Sequence, residues 1–290
     1  MKNRCLIILT LMIFALGNSQ EKVISGQIIH LENNDPIPYV NIGIKNEPVG
    51  TVSDINGLFE LFLDEKTHKN DTIIISHVGF KSKKISVTTL KPSKNIITLE
   101  PESIELEEVV ISSKKTTLKN KKLGRTIAGL GLMHANFYTA AEKNVDDRLS
   151  KEKGVRIKIN KNCHLKDLNF KITTNDFKSL KFRINFYKIE NGLPTDLIVF
   201  ENIVFEIKDN FLGWFKVDLE EYDIFLTEDL EEIAVAIQWV ESVKSHEKSK
   251  FFGIAAGATT SKETFHRDKA MDRWTSSDFN LSFYLNAMCD

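Results

Sequence analysis

The sequence predicts an all-β protein: two β-sandwich domains behind an export signal. Three observations carry this. Apolar and polar residues alternate at period two in many short segments after residue 22, which puts one face of each segment inside and one outside. Turn pairs such as Asn56-Gly57, Asn191-Gly192 and Asp209-Asn210 punctuate those segments, and no long helical period runs through them. A polar, charge-segregated stretch at 101–122 separates two groups of strands, giving domains at 21–100 and 123–290.

The 290 residues suffice for two ordinary domains. With 39 basic against 40 acidic residues, the net charge is −1, and nothing in the balance points to nucleic acid or to an acidic solvating tail. Phe, at 19 residues against 3 Trp and 5 Tyr, favours aromatic-rich β cores. Residues 1–20 read as a signal peptide. Lys2 and Arg4 are its charged start, Leu6 to Leu16 its apolar core, and Gly17 and Ser19 the small residues before cleavage near Gln20. That apolar run is short for a bilayer, so no integral span is expected in the mature chain. Cys5 precedes the apolar core and is not placed for lipidation.

In the first domain, Val40, Ile42 and Ile44 alternate, as do Phe59, Leu61 and Leu63. Asn56-Gly57 supplies the residues a tight hairpin between them needs. Pro36 and Pro38 sit at the mouth of a strand, where a missing N–H does least harm. The expectation is a small antiparallel sandwich of about seven short strands. Several motifs occur in order here: Val23-x-x-Gly26, Pro36-x-x-x-Val40-x-Ile42, Gly50-Thr51-x-Ser53-Asp54-x-x-Gly57-x-Phe59, and Val78-Gly79-Phe80. By these residues the stretch Val23 to Leu99 resembles the carboxypeptidase-like regulatory domain, a transthyretin-like (prealbumin-like) β-sandwich. The resemblance implies a non-catalytic module found beside envelope proteins, including at the front of TonB-dependent outer-membrane receptors. It implies no enzyme.

Beyond Pro101, Glu102, Glu105, Glu107 and Glu108 precede Val109-Val110-Ile111 and a lysine-rich run. The segment Glu107, Glu108, Val109, Val110, Ile111 has two readings. It resembles the acidic-then-valine segment that follows this domain in TonB-dependent receptors, where such a box can pair with TonB by strand addition. It also reads as a last edge strand followed by a solvated tether.

The second domain begins near Lys122, with Gly124 to Asn136 expected as an entering strand. Alternation follows at Val155 to Ile159, at Phe182, Ile184 and Phe186, at Ile203, Phe205 and Ile207, at Phe215, Val217 and Leu219, at Ile233 to Trp239, and at Leu281, Phe283 and Leu285. On the strand around Phe182 the opposite face holds Lys181, Arg183, Asn185 and Tyr187. Evenly spaced strands argue a jelly-roll-like sandwich.

Chemistry-bearing motifs are sparse. The seven His are scattered without zinc-ligand spacing, and His164 beside Cys163 on a strand points to the opposite face, so no metal and no cofactor is expected. There is no Gly-x-Ser-x-Gly elbow and no phosphate-cradling loop. Ser261, His266 and Asp268 read as neighbours in a polar loop. Asp54-Ile55-Asn56-Gly57 lacks the later Glu of a calcium loop. Cys163 and Cys289 are either bridged in an oxidising compartment or two free buried thiols. Aromatic and basic surface remains: Trp274 beside Arg273 could stack on a sugar, with Trp214 as an alternative platform, or Trp274 packs at the sandwich rim.

The functional expectation is an exported, non-enzymatic protein of a Gram-negative envelope, in the periplasm, at the outer-membrane periphery or secreted. It would act by binding or scaffolding an envelope protein or a glycan. One alternative is an accessory of TonB-dependent nutrient uptake. A second is an unrecognised hydrolase using a carboxylate pair such as Asp268 and Asp272.

Overall fold

The computed structural model of the chain describes residues 22–63, 67, 70–102, 117–129, 133–137, 148–261 and 263–290. Among these the fold is all-β, and the helical elements are three 3-10 turns of three residues each. None of the helices is long and apolar enough to cross a membrane. The signal-peptide residues and Glu107 to Ile111 lie outside the described residues.

Seven strands form the N-terminal sandwich: β1 (Lys22–His30), β2 (Asn41–Ile44), β3 (Gly50–Val52), β4 (Leu58–Leu63), β5 (Thr72–Ser76), β6 (Lys83–Ser86) and β7 (Asn95–Leu99). One sheet has the order β4-β1-β7 and the other β3-β2-β5-β6. Their inner faces bury Ile24, Ile28, Ile42, Phe59, Leu61, Ile73, Ile75 and Ile97. Along β4 burial alternates strictly, with Phe59, Leu61 and Leu63 inward, as period-two patterning requires.

Two expectations for this domain need correction. The sandwich is not wholly antiparallel, because β1 and β7 run parallel. Asn56-Gly57 does not close a hairpin either, since β3 and β4 belong to different sheets. The turn is instead a corner between the sheets. Asp54 Oδ1 accepts from the backbone N–H of Asn56 and of Leu58, each at 2.8 Å, and Gly57 takes a φ of 70°. An Asx turn of this kind needs Gly only at the left-handed position and leaves the flanking strands free to diverge.

The C-terminal strands are β8 (Lys119–Gly124), β9 (His134–Asn136), β10 (Glu152–Lys158), β11 (Cys163–Asn175), β12 (Phe177–Glu190), β13 (Leu193–Leu197), β14 (Ile203–Lys208) and β15 (Gly213–Asp218). They continue with β16 (Phe225–Leu226), β17 (Glu232–Lys244), β18 (Phe252–Ala258), β19 (Thr264–Arg267), β20 (Thr275–Ser277), β21 (Phe279–Leu281) and β22 (Phe283–Cys289). One sheet is ordered β13-β12-β17-β10-β19-β20, with β14 beside β12. The facing sheet is ordered β21-β18-β11-β22-β8, with β15 and β16 on β11 and β9 on β18. The apolar core between them is rich in Phe. Trp239 packs edge-on against Phe177 and Phe182, and Phe170 stacks on Phe283.

β8 begins at Lys119, so the end of the expected linker is already a strand, registered with β22 from Lys119↔Cys289 to Gly124↔Tyr284. The single strand expected over Gly124 to Asn136 is likewise replaced by β8 before it and β9 at its end. Lysines at 119, 121 and 122 suit the solvent edge of a sheet, which explains why their charge read as tether. Asn191-Gly192 does close a hairpin, β12 to β13, with φ of 52° and 79°. β11 and β22 are bridged by a Cys163–Cys289 disulfide, at a position where the two residues stand directly opposite in the ladder.

Candidate functional site

The polar face of β12 is where the structure departs furthest from simple alternation. Arg183, Asn185 and Tyr187 are buried, as are Phe182, Ile184 and Phe186 on the other side. A second layer covers them, built from the N-terminal sandwich and from residues 148–152 and 267–274. Glu152, fully buried, accepts from Asn185 Nδ2 (2.7 Å), the Tyr187 hydroxyl (2.8 Å), and Arg267 Nε (2.9 Å) and Nη2 (2.7 Å). Burial, with the Glu152 charge beside it, pushes the Tyr187 hydroxyl well above its ordinary range. A buried carboxylate with four charge-assisted or hydroxyl donors is satisfied in place rather than poised to react.

Arg183 extends this network across the junction. Its Nε donates to Asn202 Oδ1 (2.9 Å), its Nη1 to Gln238 Oε1 (3.4 Å), and its Nη2 to the carbonyl of Tyr39 in the N-terminal sandwich. Gln238 Nε2 in turn donates to Asn41 Oδ1 (2.9 Å). Tyr39 has a φ of 56°, a left-handed conformation that is costly for a bulky residue, and its carbonyl is fixed there by Arg183. The Tyr39 hydroxyl donates to Glu241 Oε2 (3.0 Å) and accepts from Lys181 Nζ (3.2 Å), while Lys181 pairs with Glu241 at 2.8 Å. His77, just before the Val78-Gly79-Phe80 motif, is half-buried in the same region. Burial, with the Arg183 charge adding to it, pushes its imidazole down to about 4.

A second contact lies beside the first. The carbonyl of Ala270 presses onto Gly43 and Gly50, where an added Cβ would meet it at 2.3 Å and 2.6 Å. Asn46 N–H donates to the Met271 carbonyl (2.8 Å), and Arg273 Nε donates to the Asn46 carbonyl (3.1 Å). The motif glycine Gly50 is thus a seat for a backbone 220 positions away in sequence (270 against 50). Any side chain at that position would hold the two backbones apart.

These contacts relocate the residues singled out as a ligand surface. Trp274 is partly buried against Tyr187, Ala234, Ala236 and Phe265, edge-on to Tyr187 at 5.4 Å, with the guanidinium of Arg267 over its ring at 4.6 Å. Arg273 is exposed but committed to the Asn46 carbonyl. Trp214 is partly exposed on β15 and meets Tyr284 edge-on at 5.3 Å, away from Trp274 on the other sheet. Tyr187, expected on a solvent face, is buried because Glu152 and Arg267 close over it. Asp268 and Asp272 share one tight turn, where burial and then the Asp268 charge raise the Asp272 carboxyl. His164 pairs with Asp223 at 2.8 Å. Among the described residues, no three His, Cys, Asp or Glu side chains converge as a metal site.

Beside the junction runs a groove of 1180 Å³ lined from both sandwiches. Its lining includes Val49, Val52, Leu149 and Val240, residues of β1, β4 and β7 from the N-terminal sandwich, and Glu241, Ser242 and Lys269 from the C-terminal one. Sequence reasoning missed this groove, since none of its residues forms a motif.

Residues 24–111 match the family model of the CarboxypepD_reg-like domain. The N-terminal sandwich is therefore a domain of this family, with the transthyretin-like architecture its motifs imply. The chain is also similar to TonB-dependent receptor P3 of Formosa agariphila, 31% identical over 120 residues. That match covers 41% of this chain and 11% of the receptor. Two solved structures align at low similarity. One holds the cysteine protease and lectin-like domains of Cwp84, a surface layer associated protein of Clostridium difficile, with TM-score 0.38 and 10% identity over 93% of this chain and 59% of that one. The other is clostridial cysteine protease Cwp84 after propeptide cleavage, with TM-score 0.40 and 11% identity over 93% of this chain and 71% of that one.

Proposed function

We propose that this chain is an exported, non-enzymatic protein of the cell envelope that holds a partner in the groove beside its domain junction. The observation that carries the reading is the groove itself. It is an open groove with mixed polar and apolar lining, drawn from two domains that a buried arginine ties together. The ionisable groups Glu152, Arg267 and Arg183 are already engaged: Glu152 with Arg267, Asn185 and Tyr187 inside the C-terminal sandwich, and Arg183 with Asn202, Gln238 and the Tyr39 carbonyl that makes the tie. The CarboxypepD_reg-like domain and the resemblance to a TonB-dependent receptor support an envelope setting.

The receptor resemblance also favours a more specific version, in which the chain is an accessory of TonB-dependent nutrient uptake and acts in trans on a receptor. One experiment tests both. A photo-crosslinking residue is placed at Ile96, on the exposed rim of the groove, in the chain as expressed in its native envelope. The expected result is a discrete crosslinked partner. A receptor or TonB as that partner would support the accessory role. Absence of any adduct, or a hydrolase activity of the purified chain abolished by one side-chain change, would refute the binding role.

A further inference from the structure

The free edge of β4 borders the groove and carries neither Lys nor Pro. Register with β1 pairs Ile24 with Leu61 and Gly26 with Phe59, and Ile28 N–H donates to the Gly57 carbonyl at 2.8 Å. Antiparallel alternation then turns the N–H and C=O of Phe59, Leu61 and Leu63 toward β1, and those of Leu58, Glu60 and Phe62 away from it. The Leu58 carbonyl is taken by Asp54 N–H at 2.8 Å. Among the described residues, nothing pairs with the outward backbone groups of Glu60 and Phe62, which border the groove. On the same strand the side chains of Leu58, Glu60 and Phe62 point outward and are exposed, Leu58 by 49% and Phe62 by 48%.

Proteins usually guard such edges with lysines, prolines, bulges or a covering element. This chain does so at several other edges, though not at β7 on the far side of the same sheet, which is also without Lys or Pro. β6 carries Lys83 and Lys84, β8 carries Lys119, Lys121 and Lys122, and β13 carries Pro194 and pairs through a register shift. β3 is covered where Val52 packs on Val240 of the C-terminal sandwich. β4 has neither Lys nor Pro, and its one charge is Glu60 between two large apolar residues.

Deepening the binding role proposed above, and resting on it, we infer that β4 accepts an extended segment of a partner protein as an added strand. A peptide backbone presents the N–H and C=O repeat that the Glu60 and Phe62 edge lacks, which sugar hydroxyls do not. Charge and shape at the edge set the partner's chemistry. Opposite Glu60 stands a Lys or Arg, and two positions to either side of it on the same face stand β-branched or aromatic residues against Leu58 and Phe62. The groove beside the edge supplies the room, and Glu241 and Ser242 also line it.

The test selects a displayed library of random peptides about ten residues long on the intact mature chain. Enriched sequences are expected to alternate polar and apolar, with one basic residue at a fixed place. A synthetic version should slow amide exchange at Glu60 and Phe62. Glu60→Lys should switch the selected charge from basic to acidic. Phe62→Pro removes an N–H that points away from β1, and should weaken binding about tenfold. If that variant unfolds, N-methylation of alternate amides in the peptide gives the same readout on the unaltered protein. No enrichment, binding without slowed exchange at Glu60 and Phe62, or a glycan as the ligand that binds there would overturn the inference. A partner crosslinked from Ile96 whose binding survives Phe62→Pro would also overturn strand addition, while leaving the groove as a binding site.

Discussion

Gly50→Ala isolates the domain junction better than any other single change. Gly50 lies in ordinary extended backbone on β3, so alanine suits its conformation. The three atoms an added Cβ would meet all belong to the C-terminal sandwich: Ala270 O at 2.6 Å, Ala270 N at 3.0 Å and Lys269 Cβ at 3.1 Å. Ordinary contact begins at 3.4 Å, so the Ala270 backbone must retreat by roughly 0.8 Å (3.4 less 2.6). A shift of that size would stretch the Asn46–Met271 bond from 2.8 Å and the Arg273–Asn46 bond from 3.1 Å beyond hydrogen-bonding range. Two bonds lost at about 1 kcal/mol each, with about 1–3 kcal/mol for overpacking, give about 3–5 kcal/mol of lost coupling between the domains. All three Trp lie in the C-terminal sandwich, so Trp fluorescence follows that half alone while far-UV circular dichroism follows both. The parent protein should unfold in urea with the two signals superimposed. In Gly50→Ala they should separate, and amide exchange should quicken across 266–274. Superimposed curves and unchanged exchange in the variant would refute the idea that Gly50 is a docking seat.

Reduction of the Cys163–Cys289 bridge, or the double change to Ser, should cost about 4–5 kcal/mol by the chain-entropy argument for a loop closed over 126 residues; urea midpoints unaffected by reductant would refute this. His77 titrates near 4 in the folded chain and near 6.5 when unfolded, so stability is full above pH 6.5 and falls as pH drops, by up to about 3 kcal/mol at pH 4. In His77→Gln the pH dependence of the urea midpoint between 6.5 and 5 should flatten, and a retained slope would assign it to other groups. Trp274→Ala should lower stability by about 2–3 kcal/mol, below the cost for a fully buried aromatic because the ring is partly exposed, and a glycan titration should not distinguish variant from parent. An unshifted melt with lost glycan binding would restore Trp274 as a ligand platform.

Much of the fold was legible because period two is a local property. Phe59, Leu61 and Leu63 point inward in β4, as alternation alone requires, while Ile233 to Trp239 lies in the expected strand β17 but is buried on both faces. What failed were statements about which strand pairs with which. Asn56-Gly57 has the composition of a hairpin turn, yet the Asp54 carboxylate takes the backbone N–H groups that would otherwise direct pairing, and β4 leaves for the other sheet. Lys119 to Lys122 read as tether because an edge strand and a solvated linker both favour lysine.

The junction was hidden for a different reason. A strand whose second face carries Arg183, Asn185 and Tyr187 looks solvated on that face, because burying such groups is costly unless each finds a partner. The partners exist, but they are distant in sequence. Arg183 meets Tyr39 across 144 positions, Tyr187 meets Glu152 across 35, and Gln238 meets Asn41 across 197. One sequence carries no sign of which distant polar groups will satisfy one another. The same reasoning explains why the segment from His266 to Trp274 looked like a ligand loop. Its Arg, Asp and Trp residues are those a binding surface uses, and here Arg267 and Arg273 bind other parts of the same chain. Once those side chains are engaged, the outward backbone of β4 at Glu60 and Phe62 is, among the described residues, binding capacity that stays unpaired beside the groove. That edge is invisible to motif reading because its chemistry belongs to the peptide group and not to any residue type.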